Sequence, residues 1–214
     1  MENTMIKVEN LKKRFGEELV LKGISCEFEK GKVHAVIGNN GSGKSVFFKC
    51  ICGFIHPTEG AVYVNGKQIG KEIDFPESMG LIIEHPGFLP QLSGFQNLHL
   101  LAEIKGKITD EQIHNILIKV GLPPESKKSV GKYSMGMKQR LGIAQAIMED
   151  PDIILLDEPF NGLDKDGVEE IRQIIQDLKM GGKTIFLTSH NSEDIKILAD
   201  YVWEMDAGRL KKLL

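Results

Sequence analysis

The sequence predicts an α/β fold: a parallel sheet with covering helices, an antiparallel β subdomain at the N-terminus and an inserted α-helical subdomain. Three observations carry this expectation. The first third reads as strands and turns, the middle as helices, and the last third as strand alternating with helix, the pattern of a parallel sheet with helical crossovers. At 214 residues the chain can build one large core with a smaller appended unit. It is therefore expected as a single domain over 1–214, with the helical insertion at about 88–135.

In the first third, Ile24-Ser25-Cys26-Glu27-Phe28 alternates with period two, as a half-buried strand does. Val33-His34-Ala35-Val36-Ile37 reads as a buried strand feeding a glycine-rich turn and then a helix through Cys52. Val62-Tyr63-Val64 runs into the turn pair Asn65-Gly66. Helices are expected to start at Ser93-x-x-Gln96 and Thr109-x-x-Gln112, where the two side chains satisfy free amides of the first turn. Ile113, Ile116, Leu117 and Val120 form one apolar face before Gly121 stops the second helix. Leu122 to Lys132, with Pro123-Pro124, reads as a linker. Beyond it come a strand at Ile153 to Leu156, a helix around Val168 to Leu178, a strand at Thr184 to Ser189 and a closing hairpin over Tyr201 to Leu210.

Bulk properties exclude several classes. Hydrophobic residues at 41% and charged residues at 27% are the balance of a globular protein, not of a fibrous or disordered one. A net charge of −3 gives no global attraction to nucleic-acid phosphates, so no nucleic-acid partner is expected and Lys12-Lys13-Arg14 reads as a solvated face. Cys26, Cys50 and Cys52 lack both the number for a disulfide framework and the spacing of a metal site; they read as small buried hydrophobes in a reducing compartment. No apolar run approaches the roughly 20 residues that span a bilayer, and no basic stretch leads into an apolar signal core. A cytoplasmic location is expected.

The chemistry sits in three strings. Gly38-Asn39-Asn40-Gly41-Ser42-Gly43-Lys44-Ser45 fits G-x-x-x-x-G-K-[ST] between a predicted strand and a predicted helix, the setting that a phosphate-binding loop requires. Its glycines let successive N–H groups and the helix N-terminus face an anion. Lys44 is placed to reach β- and γ-phosphates, and Ser45 to ligate Mg²⁺. A glycine-rich turn alone explains the glycines but not Lys44-Ser45 at that offset, so a P-loop NTPase core is expected. Ile153-Ile154-Leu155-Leu156-Asp157-Glu158 is an apolar strand ending in two acids at the carboxyl edge of the sheet. Asp157 there serves as a direct or indirect Mg²⁺ partner, and Glu158 as the general base for attacking water. His190 ends a third such strand, in reach of the γ-phosphate or the water.

These motifs, in this order, resemble the ATP-binding cassette (ABC) family, and the resemblance covers almost the whole chain. Tyr133-Ser134-Met135-Gly136-Met137-Lys138-Gln139-Arg140 stands where that family carries its signature. The resemblance implies an ABC transporter ATPase using ATP and Mg²⁺. It also implies two cassettes, alike or paired, sandwiching two ATPs, with Ser134 and Gly136 of one touching the γ-phosphate held by the other. A separate permease would carry the pair at the inner face of the membrane. Phe15 matches the aromatic on which adenine stacks, and Asp164, in Asn161-Gly162-Leu163-Asp164, belongs to the loop that crosses between cassettes.

Two departures stand out. The usual Leu-Ser-Gly-Gly-Gln of the signature is here Tyr-Ser-Met-Gly-Met, which keeps the hydroxyl and the second glycine but adds bulk. Glu84, in Gly80-Leu81-Ile82-Ile83-Glu84-His85-Pro86, aligns with a glutamine that contacts Mg²⁺, so it is expected as a metal ligand. Together, Glu84 to Pro90 and the altered signature look most like the bacterial branch that exports bacitracin or lantibiotic-type peptides or confers immunity to them. Competing readings are a P-loop kinase or GTPase, which would need neither signature nor His190, and a non-transport cassette ATPase or regulatory ATP-binding module.

Overall fold

The computed structural model describes residues 3–84 and 87–214; His85 and Pro86 of the Glu84 to Pro90 segment lie outside the described residues, as do Met1 and Glu2. The chain opens with β1 (Thr4–Phe15) and β2 (Glu18–Glu29), paired antiparallel. It then runs through β3 (Val33–Ile37), α1 (Lys44–Ile51), β4 (Glu59–Val64) and β5 (Lys67–Gln68). The sheet β2-β1-β4-β5 is antiparallel throughout, as expected of the N-terminal part. Asn65 and Gly66 both take positive φ, 49° and 79°, in the two-residue turn between β4 and β5.

After β6 (Met79–Ile82) the chain is helical: α2 (Gly94–Lys105), α3 (Asp110–Lys119), a single 3₁₀ turn (Val130–Lys132) and α4 (Met135–Ile147). Both expected capping boxes form. Ser93 and Thr109 each accept from the backbone amide three residues on, while Gln96 and Gln112 reach back. The last part alternates as β7 (Ile153–Leu156), α5 (Lys165–Met180), β8 (Thr184–Leu187), α6 (Ser192–Leu198), β9 (Tyr201–Asp206) and β10 (Arg209–Lys212). None of the described helices is long and apolar enough to cross a membrane.

The second sheet has the order β10-β9-β3-β8-β7-β6, parallel except for β10. The C-terminal hairpin is thus more than the expected closing element, because β9 lies parallel to β3, with Val36 opposite Trp203. A residue pattern of period two is the same for either pairing direction, so it is silent on this point.

The core lies in two layers. One packs the helices from α2 to α6 on the parallel sheet; the other fills the space between the sheets with Phe28, Phe47, Phe48, Phe186 and Trp203. Helix α1 belongs to that second layer. Phe47, Phe48, Cys50 and Ile51 are each fully buried, and burial of each Phe contributes about 1.5–3 kcal/mol. Burial also pushes the Cys50 thiol up to about 11 and that of Cys52 to about 12, so both stay neutral and inert, as small core hydrophobes do. The anchoring of α1 fixes the loop before it. Because β3, β8 and β7 are neighbours, their carboxyl ends converge, and three loops meet at one edge.

Candidate phosphate and water-activation site

A cleft of about 350 Å³ opens at that edge, lined by Asn40, Gly41, Gly43, Lys44, Ser45, Asp157, Glu158 and His190. All three predicted strings meet there. No side chain caps the N-terminus of α1, which leaves its first amides facing the cleft. Lys44 Nζ curls over the loop, donating to the Gly38 and Asn39 carbonyls at 2.7 and 3.2 Å. This places a buried ammonium beside a helix N-terminus, an electropositive seat for an anion.

The loop is braced from behind by the C-terminal hairpin. Gly38 has φ +147°, and a Cβ there would lie 2.2 Å from the Met205 carbonyl oxygen. Gly208 (φ +80°) donates its N–H to the Ser42 carbonyl at 2.9 Å and accepts from Lys22 N–H at 2.9 Å, with no room for a side chain against Val20. Only glycine permits either contact.

Opposite the loop stand the acids. Ser45 Oγ lies 3.3 Å from Asp157 Oδ2, a pair of hard oxygen donors of the kind Mg²⁺ takes in small number when phosphates supply other ligands. Glu158 sits at φ +53°, a rare conformation for a residue with a side chain. Its Oε1 is buried and accepts no hydrogen bond. His190 Nε2 is 3.3 Å from that oxygen, within reach of an ion pair when the imidazole is protonated but off the line of a hydrogen bond. A buried carboxylate oxygen in need of a donor, at the mouth of a phosphate cradle, is fitted to take a proton from water. The Ser42 hydroxyl is likewise buried without a partner. The donor set therefore suits a magnesium–nucleoside triphosphate complex.

The other predicted residues lie outside this cleft. Phe15 is 47% exposed, with Lys13 Nζ 5.0 Å above its ring. Ser134 caps α4 by accepting from Met137 N–H at 3.2 Å, and Gly136 follows in the first turn. Asp164 caps α5, accepting from Gly167 N–H at 3.0 Å.

The Glu84 carboxylate, expected as a metal ligand, lies 2.6 Å from Lys49 Nζ, on α1 one turn beyond Ser45. A neighbouring ammonium at contact distance satisfies the carboxylate without a metal. Glu84→Gln is accordingly expected to bind ATP with the same Mg²⁺ dependence as the parent chain, measured by titration with chelator controls. A shallower dependence in the variant would return Glu84 to the metal.

Two residues join the site that sequence reasoning passed over. Thr188 Oγ1 donates to Asp157 Oδ1 at 2.8 Å and accepts from Glu158 N–H at 2.8 Å, tying both acids to the loop after β8. Gln139 Nε2, on the signature helix α4, donates to the Glu158 carbonyl at 3.2 Å. Each carries only a generic sequence signal, a strand-end threonine and a helical glutamine.

A phosphate cradle at a helix N-terminus, facing two acids at a parallel-sheet edge, defines a nucleoside-triphosphate hydrolase of the phosphate-loop class. The family pattern described as ABC transporter matches residues 21–161. The chain is 47% identical to the uncharacterized ABC transporter ATP-binding protein YybJ of Bacillus subtilis (strain 168), over 97% of this chain and 95% of that protein. It is 41% identical to the bacitracin transport ATP-binding protein BcrA of Enterococcus faecalis (96% and 68% covered). To the lantibiotic transport ATP-binding protein SrtF of Streptococcus pyogenes the identity is 37% (96% and 89%). A solved dimeric structure, the post-hydrolysis state of the ATP-binding cassette MJ0796 bound to ADP and Pi, superposes with a TM-score of 0.87 at 25% identity, over 98% of this chain and 99% of that one. The chain belongs to the ABC transporter family, as an ATP-binding subunit that hydrolyses ATP.

Proposed function

We propose that two cassettes, either two copies of this chain or this chain with a paired one, close head to tail around two Mg·ATP on the cytoplasmic face of the membrane. They drive export of a peptide antibiotic or other small amphiphile through a separate membrane-spanning permease. The observation that carries the pairing is that Ser134, exposed at the N-terminus of α4, contributes nothing to the cleft of its own chain. Its hydroxyl and the Met135 and Gly136 amides at the start of α4 can serve as an anion seat, and a second cassette would supply the phosphate. The dimeric MJ0796 cassette supports the same arrangement, and the bacitracin and lantibiotic transport relatives support the substrate class.

Within each site, Lys44 and the amides from Gly38 to Ser45 hold the β- and γ-phosphates, while Phe15 stacks on adenine. Ser45 and Asp157 hold Mg²⁺, which neutralises phosphate charge when bound. Glu158 takes the proton as water attacks the γ-phosphorus and the bond to the ADP oxygen breaks. His190 hydrogen-bonds the γ-phosphate or the water. Gly136 completes the partner's site beside Ser134, and Asp164 holds the crossing loop by capping α5.

Turnover is then expected to rise faster than linearly with protein concentration at low concentration, because the active species is a pair. A strictly linear rate, with monomers by light scattering in ATP, would rule the pairing out.

A further inference from the structure

His190 is exposed in an otherwise tethered loop. Thr188 is tied to Asp157 and Glu158. Ser189 Oγ donates to Asp194 Oδ2 at 2.7 Å and accepts the Asn191 N–H at 3.1 Å. Asn191 in turn accepts from Glu193 N–H at 2.9 Å through its side chain. The His190 side chain, 58% exposed, stands between Ser189 and Asn191, whose side chains are each hydrogen-bonded.

The tether runs inward to a buried charge. Asp194 is 1% exposed, and Arg172 of α5 is 5% exposed; the guanidinium grips Asp194 Oδ1 with Nε at 3.0 Å and Nη2 at 2.5 Å. One carboxylate oxygen thus faces Arg172 and the other Ser189. A buried ion pair is a poor way to hold α5 against α6, since an apolar pair of like volume does that as well or better. What an apolar pair lacks is a fixed, directional acceptor. The charge on Asp194 points the Ser189 hydroxyl, and that hydroxyl brackets His190 through the amide of Asn191.

We propose that Arg172, Asp194 and Ser189 form a positioning relay for His190, setting where its imidazole stands relative to Glu158 and the phosphate. The relay rests on the role given to His190 above, and acts on turnover rather than on ATP binding. A misplacement of the imidazole by about 1 Å is enough to slow the chemical step.

The test compares ATPase kinetics, affinity for a fluorescent ATP analogue and thermal melting in five variants: Ser189→Ala, Ser189→Thr, His190→Ala, the double change Ser189→Ala/His190→Ala, and Asp194→Asn. Ser189→Ala is expected to lower kcat about tenfold with KM, analogue affinity and melting nearly unchanged, and Ser189→Thr to restore it. In the His190→Ala background, read in single turnover, Ser189→Ala should cost nothing further. Asp194→Asn, which keeps shape but drops charge, should lower kcat in the same way. Unchanged kcat in Ser189→Ala, or an equal loss with and without His190, overturns the relay while leaving the site reading intact. Unchanged turnover in His190→Ala overturns that reading, and the relay with it.

Discussion

Glu158→Gln is expected to lower ATP turnover by about 10²- to 10⁴-fold, the usual contribution of a general base, while ATP still binds. The change removes charge but almost no volume, and the features that hold residue 158 belong to the backbone. Its N–H is held by Thr188 and its carbonyl by Gln139, so the φ of +53° should persist in the variant. The amide side chain lacks the basicity to take a proton from water. With ATP bound and not consumed, the closed pair should accumulate, visible as a nucleotide-dependent dimer by light scattering. Turnover at the parent rate would remove Glu158 from the role of base.

Lys44→Ala is expected to weaken nucleotide binding by about 10- to 150-fold, the range for losing hydrogen bonds from a charged donor. Lys44 is 8% exposed and its ammonium is already directed over the loop, so little of its interaction is screened by solvent. The neighbouring amides remain, and some binding should survive. Titration with a fluorescent ATP analogue measures the effect, and a melting curve in its absence separates it from loss of the Gly38 and Asn39 contacts. Parent-like affinity in a folded variant would contradict the cradle.

The fold was legible where local chemistry dictates local structure. Ser93-x-x-Gln96 and Thr109-x-x-Gln112 mark helix starts because the satisfying groups lie within one turn of the amides they satisfy. The phosphate loop and the acidic strand end are contiguous strings whose spacing alone restricts their use. What stayed hidden depends on residues far apart in sequence. Glu84 meets Lys49 from 35 residues away, a neighbour about which the resemblance that reads Glu84 as a metal ligand carries no information. Thr188 reads as an ordinary strand residue until β7 and β8 are set side by side in parallel. Gln139 reads as helix surface until α4 is laid against the end of β7. The pairing of β9 with β3 has the same cause, since strand order is a property of the assembled sheet.

The contact between Gly208 and Ser42 has a consequence in time. On a ribosome the phosphate loop emerges before the hairpin that backs it, which follows roughly ten to thirty seconds later at ordinary elongation rates. In that interval the Ser42 carbonyl and the Lys22 amide have no Gly208 to meet, and the nascent chain carries a nucleotide motif without its support. The phosphate loop is therefore made before its own backing, and its full support is expected only once synthesis has passed the hairpin turn.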